Sequence, residues 1–373
     1  QVPAGSKHVR SKAHQGRAGN CCSPSFAMGR GGDANASKAR EDFFWSDEEE
    51  PHAQRRKAIL KAHPEISKLQ GPEWRTKYIT CALTAAQVYL SRATMQLSWP
   101  AYLAVAYVFG ATITQALFLA VHEISHNLAF KSSSYNRVLG FIANFPIVFP
   151  FSIAFRGYHI EHHKFQGVDG VDTDIPSRAE GRVVRGTLMK IIWASCQILT
   201  YALRPCLLRF QEFTPTHVAN LIMQVLFDLT IYHFWGWRPL AYMILCILLA
   251  GGLHPCAGHF ISEHYVFPHL SDTQETYSYY GILNKLTWNV GYHNEHHDFP
   301  YVAWTRLPAL RAAAPEFYDS LEQCDSWCRV IYDYCFREEV GPFNRVKRKT
   351  ETTSAGGYEF PEPANFKKGG KKD

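Results

Sequence analysis

The stretch PAYLAVAYVFGATITQALFLAVHEISH, from Pro100 to His126, decides how the rest of the chain is read. From Pro100 to Val121 it is almost wholly apolar, close to the roughly twenty residues an α-helix needs to cross a bilayer core. It ends on His122-Glu-Ile-Ser-His126, two histidines four residues apart. On a helix those positions share one face, so the pair is predicted to lie about one turn into the water, able to chelate one metal ion. Working outward, Tyr78–Trp99 is a weaker apolar segment interrupted by Gln87, Arg92 and Gln96. Val138–Phe155 is apolar but broken by Pro146 and Pro150, which predicts a re-entrant or shallow segment. Gly186–Arg209 mixes apolar residues with Lys190, Arg204 and Arg209 and is predicted to lie in the membrane interface. His217–Phe234 and Pro239–Cys256 are separated only by Trp235-Gly-Trp-Arg238, an aromatic corner predicted to close a helical hairpin.

If all the histidine clusters are to meet at one centre, an even number of crossings must separate them. Four spans with both ends cytosolic satisfy that condition. The expected fold is an all-α integral membrane protein, with about four transmembrane helices and a cytosolic, histidine-lined di-metal cap. The organisation predicted is a disordered leader over 1–41, a cytosolic amino-terminal segment over 42–77, the membrane domain over 78–345 and a basic disordered tail over 346–373. In the leader, Met28-Gly29 resembles a start that would expose Gly29 to myristoylation, but Asp33 stands where Ser or Thr is wanted.

Composition agrees with a membrane protein. The chain is 46% apolar, and its mean hydropathy of −0.20 averages an apolar middle with polar ends. The net charge of +6 comes from basic groups beside apolar runs, such as Arg55-Arg56-Lys57 and Arg345 to Lys349. That placement suits the cytosolic side of a bilayer, and no nucleic-acid recognition motif accompanies it. The ten cysteines form no CxxC pair, which points to reduced thiols.

Two further clusters join the first: His159-Ile-Glu-His162-His163 and His293-Asn-Glu-His296-His297. In HxxHH the first histidine lies beside both later ones, while the adjacent pair diverges, so one box can serve two ions. Eight imidazoles exceed what one tetrahedral zinc uses, and they fit two ions with open positions. Glu123, Glu161 and Glu295 are expected to support the imidazoles and balance charge, with Asp169, Asp172, Asp174 and Asp298 as further candidates. His259 and His264, at the end of the last span, are further candidate ligands. Taken alone, His122-Glu123-Ile-Ser-His126 also reads as a zinc-protease HExxH motif with Glu123 as general base, but that leaves both HxxHH boxes without a role. A lipid-binding protein without catalysis is a third reading, one in which the boxes could be lost without loss of lipid affinity.

At these residues the chain resembles the membrane fatty-acid desaturase superfamily, and more narrowly the sphingolipid delta-4 (dihydroceramide) desaturases. The resemblance runs from about Asp42 to Arg345. It rests on Pro51-His52-Ala53, HEISHN from His122, GYHIEHHKFQG from Gly157, DTDIPS from Asp172, GHFISEHY from Gly258 and NVGYHNEHHDFP from Asn289. It implies two iron ions held by His122, His126, His159, His162, His163, His293, His296 and His297, with molecular oxygen as oxidant. It further implies electrons from NADH through cytochrome b5 reductase and cytochrome b5, and an endoplasmic-reticulum membrane protein with its site facing the cytosol. The implied reaction converts dihydroceramide (N-acyl sphinganine) to ceramide. The nearest alternative within the resemblance is hydroxylation at carbon 4, giving phytoceramide.

Overall fold

A computed structural model describes residues 39–349; the expected leader up to 38, with Gly29, and the expected tail from 350 lie outside the described residues. The chain opens with a short strand β1 (Phe44–Ser46) and helix α1 (Pro51–Ala62), whose first amides are capped by the Glu50 carboxylate. Helix α2 (Arg75–Ala93) leads to α3 (Trp99–Ser125), which contains one π-helical turn at Ala106–Gly110. Helices α4 (Ser133–Asn144) and α5 (Ser152–Lys164) follow. A short α6 (Arg178–Val183) precedes the long α7 (Gly186–Leu208). Helices α8 (Pro215–Trp235) and α9 (Trp237–Ala250) pack as the expected hairpin, turning at Gly236 with φ 77°. Short helices α10 (His259–Ser262), α11 (His293–Asp298), α12 (Leu307–Ala313) and α13 (Trp327–Phe336) then lead to strand β2 (Val346–Arg348).

By length and composition, α3 and α7 can each cross a membrane, and the count rises to four if each of two bent pairs is one span. One bent pair, Ser133–Ile147 with α5, turns by 112°, so the chain does not pass straight through at Pro146 and Pro150. The Asn144 carboxamide oxygen holds this bend by accepting the amides of Phe151 and Ser152, both at 2.8 Å. The other pair, α9 with Pro255–Ser262, bends by 46°.

The helix expected to lie in the membrane interface over Gly186–Arg209 is also long and apolar enough to cross it. Helix α7 turns its polar side inward, burying Lys190, Gln197 and Arg204, while Leu188, Leu199, Leu203 and Leu207 are exposed. Arg204 pairs with Glu180 at 2.8 Å and Lys190 donates to the Arg337 carbonyl at 2.6 Å. The periodicity was that of an amphipathic helix, but the partners of its charged face are protein, not water. Helix α2 is built the same way, burying Thr76, Thr80, Thr84, Gln87 and Ser91, and α8 buries Asn220 and Gln224 beneath exposed Leu221, Val225 and Leu229. Polar groups inside and apolar groups outside suit helices whose surroundings are lipid.

Two local expectations also change. The fold is not purely helical, because β1 and β2 pair in parallel, Phe44 with Val346 and Ser46 with Arg348. The first residues of the segment expected as a tail are thereby built into the fold: Val346–Arg348 is buried, and Arg348 Nη1 meets the Glu275 carboxylate at 2.9 Å.

Candidate metal centre

Three helix ends carry the boxes to one place. His122 occupies the last turn of α3 and His126 the residue just beyond it, where Asn127 at φ 59° turns the chain away. His159, His162 and His163 lie near the end of α5, and α11 is made of the third box. His126 Nε2 is 2.8 Å from His159 Nε2, and His163 Nε2 is 3.1 Å from both His159 Nε2 and His296 Nε2. With His122 these make a group of five whose candidate ligand atoms all lie within 4.8 Å of one another. His162, His264 and His297 form a second group. His264 Nε2 is 3.0 Å from His162 Nε2, 3.1 Å from His297 Nε2 and 2.9 Å from His293 Nε2. Each HxxHH box is therefore divided: His163 and His296 face the first group, His162 and His297 the second.

The donor set fits two cations. A neutral imidazole has one N–H and one lone pair, so only some of these converging nitrogens can hydrogen-bond to one another. The others present lone pair to lone pair, an arrangement a cation relieves. Burial, and after it the neighbouring imidazoles, hold His264, His293, His296 and His297 well below the ordinary histidine value. They are neutral at pH 7, the form that ligates a metal.

Beneath the imidazoles lies a shell of carboxylates. Asp172 Oδ1 is 3.0 Å from His162 Nδ1, leaving Nε2 turned toward the second group. Asp298, below the third box, meets His52 Nδ1 at 2.8 Å and Arg55 Nε at 2.6 Å, both on α1. Burial is the largest influence and would raise the Asp298 pKa, but Arg55 and His52 together outweigh it and the carboxyl lies below its ordinary value. Glu295 accepts from the hydroxyls of Ser278 at 2.9 Å and Tyr280 at 2.7 Å, and burial pushes its pKa up to about 7. It anchors the helix that carries the box and does not face the imidazoles.

The structure distributes the other expected site residues differently. His264 joins the second group. His259 does not: its Nδ1 meets Glu263 at 2.7 Å and its Nε2 contacts Gln115. Glu161 is also away from the cluster, paired with Arg209 at 2.9 Å. Glu123 is buried and accepts the Trp304 amide at 3.2 Å, an environment unlike that of a protease general base open to substrate and water. Asp169 pairs with Lys347. Two groups escaped the sequence reading as site residues. Glu263, 3.5 Å from His293 Nδ1, connects His259 to the third box, and His52 packs its ring 4.9 Å from that of His297. The signal for Glu263 was its place beside His264; His52 gave none beyond its family motif.

An apolar cavity of about 270 Å³ reaches the imidazoles of His159 and His162, walled by Phe149, Phe151, Phe155 and Pro205. A smaller one of about 50 Å³ continues past His122, His264 and His293.

Residues 97–324 match the family model described as fatty acid desaturase. The chain belongs to that family. Residues 39–75 match a second model, described as sphingolipid delta4-desaturase. Relatives agree in name. A sphingolipid delta(4)-desaturase-like protein of Oryza sativa subsp. japonica is 52% identical over 83% of this chain and 93% of its own length. The sphingolipid delta(4)-desaturase of Schizosaccharomyces pombe is 49% identical over 82% of this chain and 88% of its own. That of Candida albicans is 48% identical, covering 83% and 88%. The short second match covers β1 and α1, the elements that set His52 and Arg55 beneath the third box. Family membership thus accounts for both the histidine groups and the segment below them.

Proposed function

We propose that this chain is an oxygen-dependent sphingolipid desaturase, removing two hydrogens across carbons 4 and 5 of an N-acyl sphinganine to give ceramide. The observation that carries the reading is two buried histidine groups opening onto an apolar cavity. In this reading His122, His126, His159, His163 and His296 hold one iron ion. His162, His264 and His297 hold the other, with His293 beside them. Bound there, the metal pair supplies the oxidation that an unactivated C–H bond requires. The protein's own part is to seat the alkyl chain among Phe149, Phe151 and Phe155, exclude water, and fix the carbons beside His159 and His162. Asp172 and Glu263 orient the imidazoles of His162 and His293 and offset the positive charge, while Asp298 ties the third box to His52 and Arg55.

The surroundings proposed with this activity are an endoplasmic-reticulum membrane, spanned four times, with the site facing the cytosol. Electrons come from NADH through cytochrome b5 reductase and cytochrome b5. The relatives' common name favours desaturation over carbon-4 hydroxylation. Membranes containing the chain, given labelled dihydroceramide, NADH and oxygen, should yield a product lacking two hydrogens by mass spectrometry, and His163→Ala should yield none. A product gaining one oxygen would indicate the hydroxylase. No product with competent electron donors would refute both readings.

A further inference from the structure

The cavity wall has a polar side that metal binding does not use. Asp174 and Tyr201 line both the larger and the smaller space, next to His159 and His162. The Tyr201 ring packs on Phe260 at 5.5 Å, and its hydroxyl makes no hydrogen bond to another described residue. Asp174 is held from several directions. Its Oδ2 meets Arg345 at 2.5 Å, its carbonyl accepts from Arg204 and Arg345, and its amide donates to Asp172 Oδ1 at 3.0 Å. That Asp172 oxygen also holds His162. Asp174 Oδ1 has no protein donor among the described residues, so one fixed acceptor remains within the cavity wall. Neither space is lined by Lys or Arg, while Glu263 adds a second carboxyl to the smaller one. Arg345 and Arg204 behind this wall are already paired with Asp174 and Glu180, so an anionic head group would find no spare cation there, whereas a neutral head rich in O–H and N–H groups would find acceptors.

The chemistry narrows this further. In a sphingoid base the carbon-3 hydroxyl sits on the atom adjacent to carbon 4. Whatever holds that hydroxyl must therefore lie beside the metal centre, where Asp174 and Tyr201 are. A hydroxyl both donates and accepts, and a carboxylate paired with a phenol complements both functions.

We propose that Asp174 and Tyr201 bind the carbon-3 hydroxyl of the lipid, Asp174 accepting a hydrogen bond from its O–H and Tyr201 donating one to its oxygen, and so set which carbon faces the histidines. The proposal rests on the sphingolipid-desaturase reading above. The test compares wild type, Tyr201→Phe and Asp174→Asn on dihydroceramide and on its 3-deoxy analogue. For each protein kcat/KM is measured on dihydroceramide, and Ki is measured for the analogue as a competitor. Tyr201→Phe removes one neutral hydrogen bond and should lower kcat/KM on dihydroceramide about five- to tenfold. Asp174→Asn should lower it about tenfold or more. Neither should change the analogue's Ki by more than about twofold, because that ligand has no hydroxyl to lose. Asp174 also pairs with Arg345, so its variant can fail through folding. Tyr201→Phe breaks no bond within the protein and decides the matter. An equal loss of affinity for both lipids, or no loss on dihydroceramide, overturns the proposal. A wild type inactive on dihydroceramide would instead refute the desaturase reading itself.

Discussion

Asp172→Asn offers a direct test of the shell beneath the metal centre. The Asp172 side chain is 0% exposed, and both of its oxygens are used. Oδ1 meets His162 Nδ1 at 3.0 Å and accepts the Asp174 amide at 3.0 Å, while Oδ2 accepts the Gly167 amide at 2.8 Å. Asparagine keeps the shape but replaces one acceptor by a donor. If its oxygen faces His162, its NH2 confronts the Gly167 N–H. If it turns over, the NH2 faces His162 Nδ1 and drives the ring proton to Nε2, the nitrogen aimed at His264 and His297. Either way, a hydrogen bond to a charged acceptor is lost, worth roughly 1.5–3 kcal/mol. Metal affinity at the second group should therefore fall about ten- to a hundredfold, the range typical when the carboxylate behind a ligating histidine is removed. Purified protein in detergent would be dialysed against graded chelator, and metal per chain read by plasma mass spectrometry. Asp169→Asn serves as control, since Asp169 pairs with Lys347 and not with a histidine. The variant should release about half of its metal at markedly lower chelator than wild type, and the control should not. Retention of both ions at wild-type chelator concentrations, in a folded Asp172→Asn protein, would refute the reasoning.

His264→Ala should bind about half the wild-type metal, whereas His259→Ala, whose ring is occupied by Glu263 and Gln115, should keep the full amount. Equal metal loss in the two would mean that the second group is drawn wrongly. Glu180 tests the fold at low pH. Burial raises its pKa, but the Arg204 guanidinium and the hydrogen bonds from Ser177 together outweigh this and hold the folded value at about 2, against an ordinary 4.5. A carboxyl depressed in the folded state stabilises above its unfolded pKa and loses that contribution as pH falls toward the folded one, and the gap amounts to roughly 3 kcal/mol. Melting of wild type in detergent should thus drop more steeply than that of Glu180→Gln between about pH 5 and pH 3, while the variant melts lower at pH 7. Parallel curves would show that the pair adds nothing.

The sequence by itself determined what depends on neighbours a few residues apart. The run from Pro100 to Val121 is a helix long and apolar enough to cross a membrane, because bilayer thickness sets that length directly. That each HxxHH box can serve two groups is legible in helical spacing, since adjacent positions diverge while positions three and four apart align. Tertiary structure alone decided which groups stand behind those imidazoles. His264 and His259 lie five residues apart with similar credentials, yet His264 meets His162 and His297 while His259 turns to Glu263. Asp172 and Asp298 support the boxes, but Glu161, inside a box, pairs outward with Arg209. His52 reaches Asp298 across a separation of 246 residues, a pairing that local periodicity does not encode. Gly186–Leu208 makes the same point on a larger scale. Its charged stripe is visible in the sequence, but whether that stripe meets water or Glu180 depends on what the fold brings opposite it, and burial with a partner reverses which face of the helix is inside.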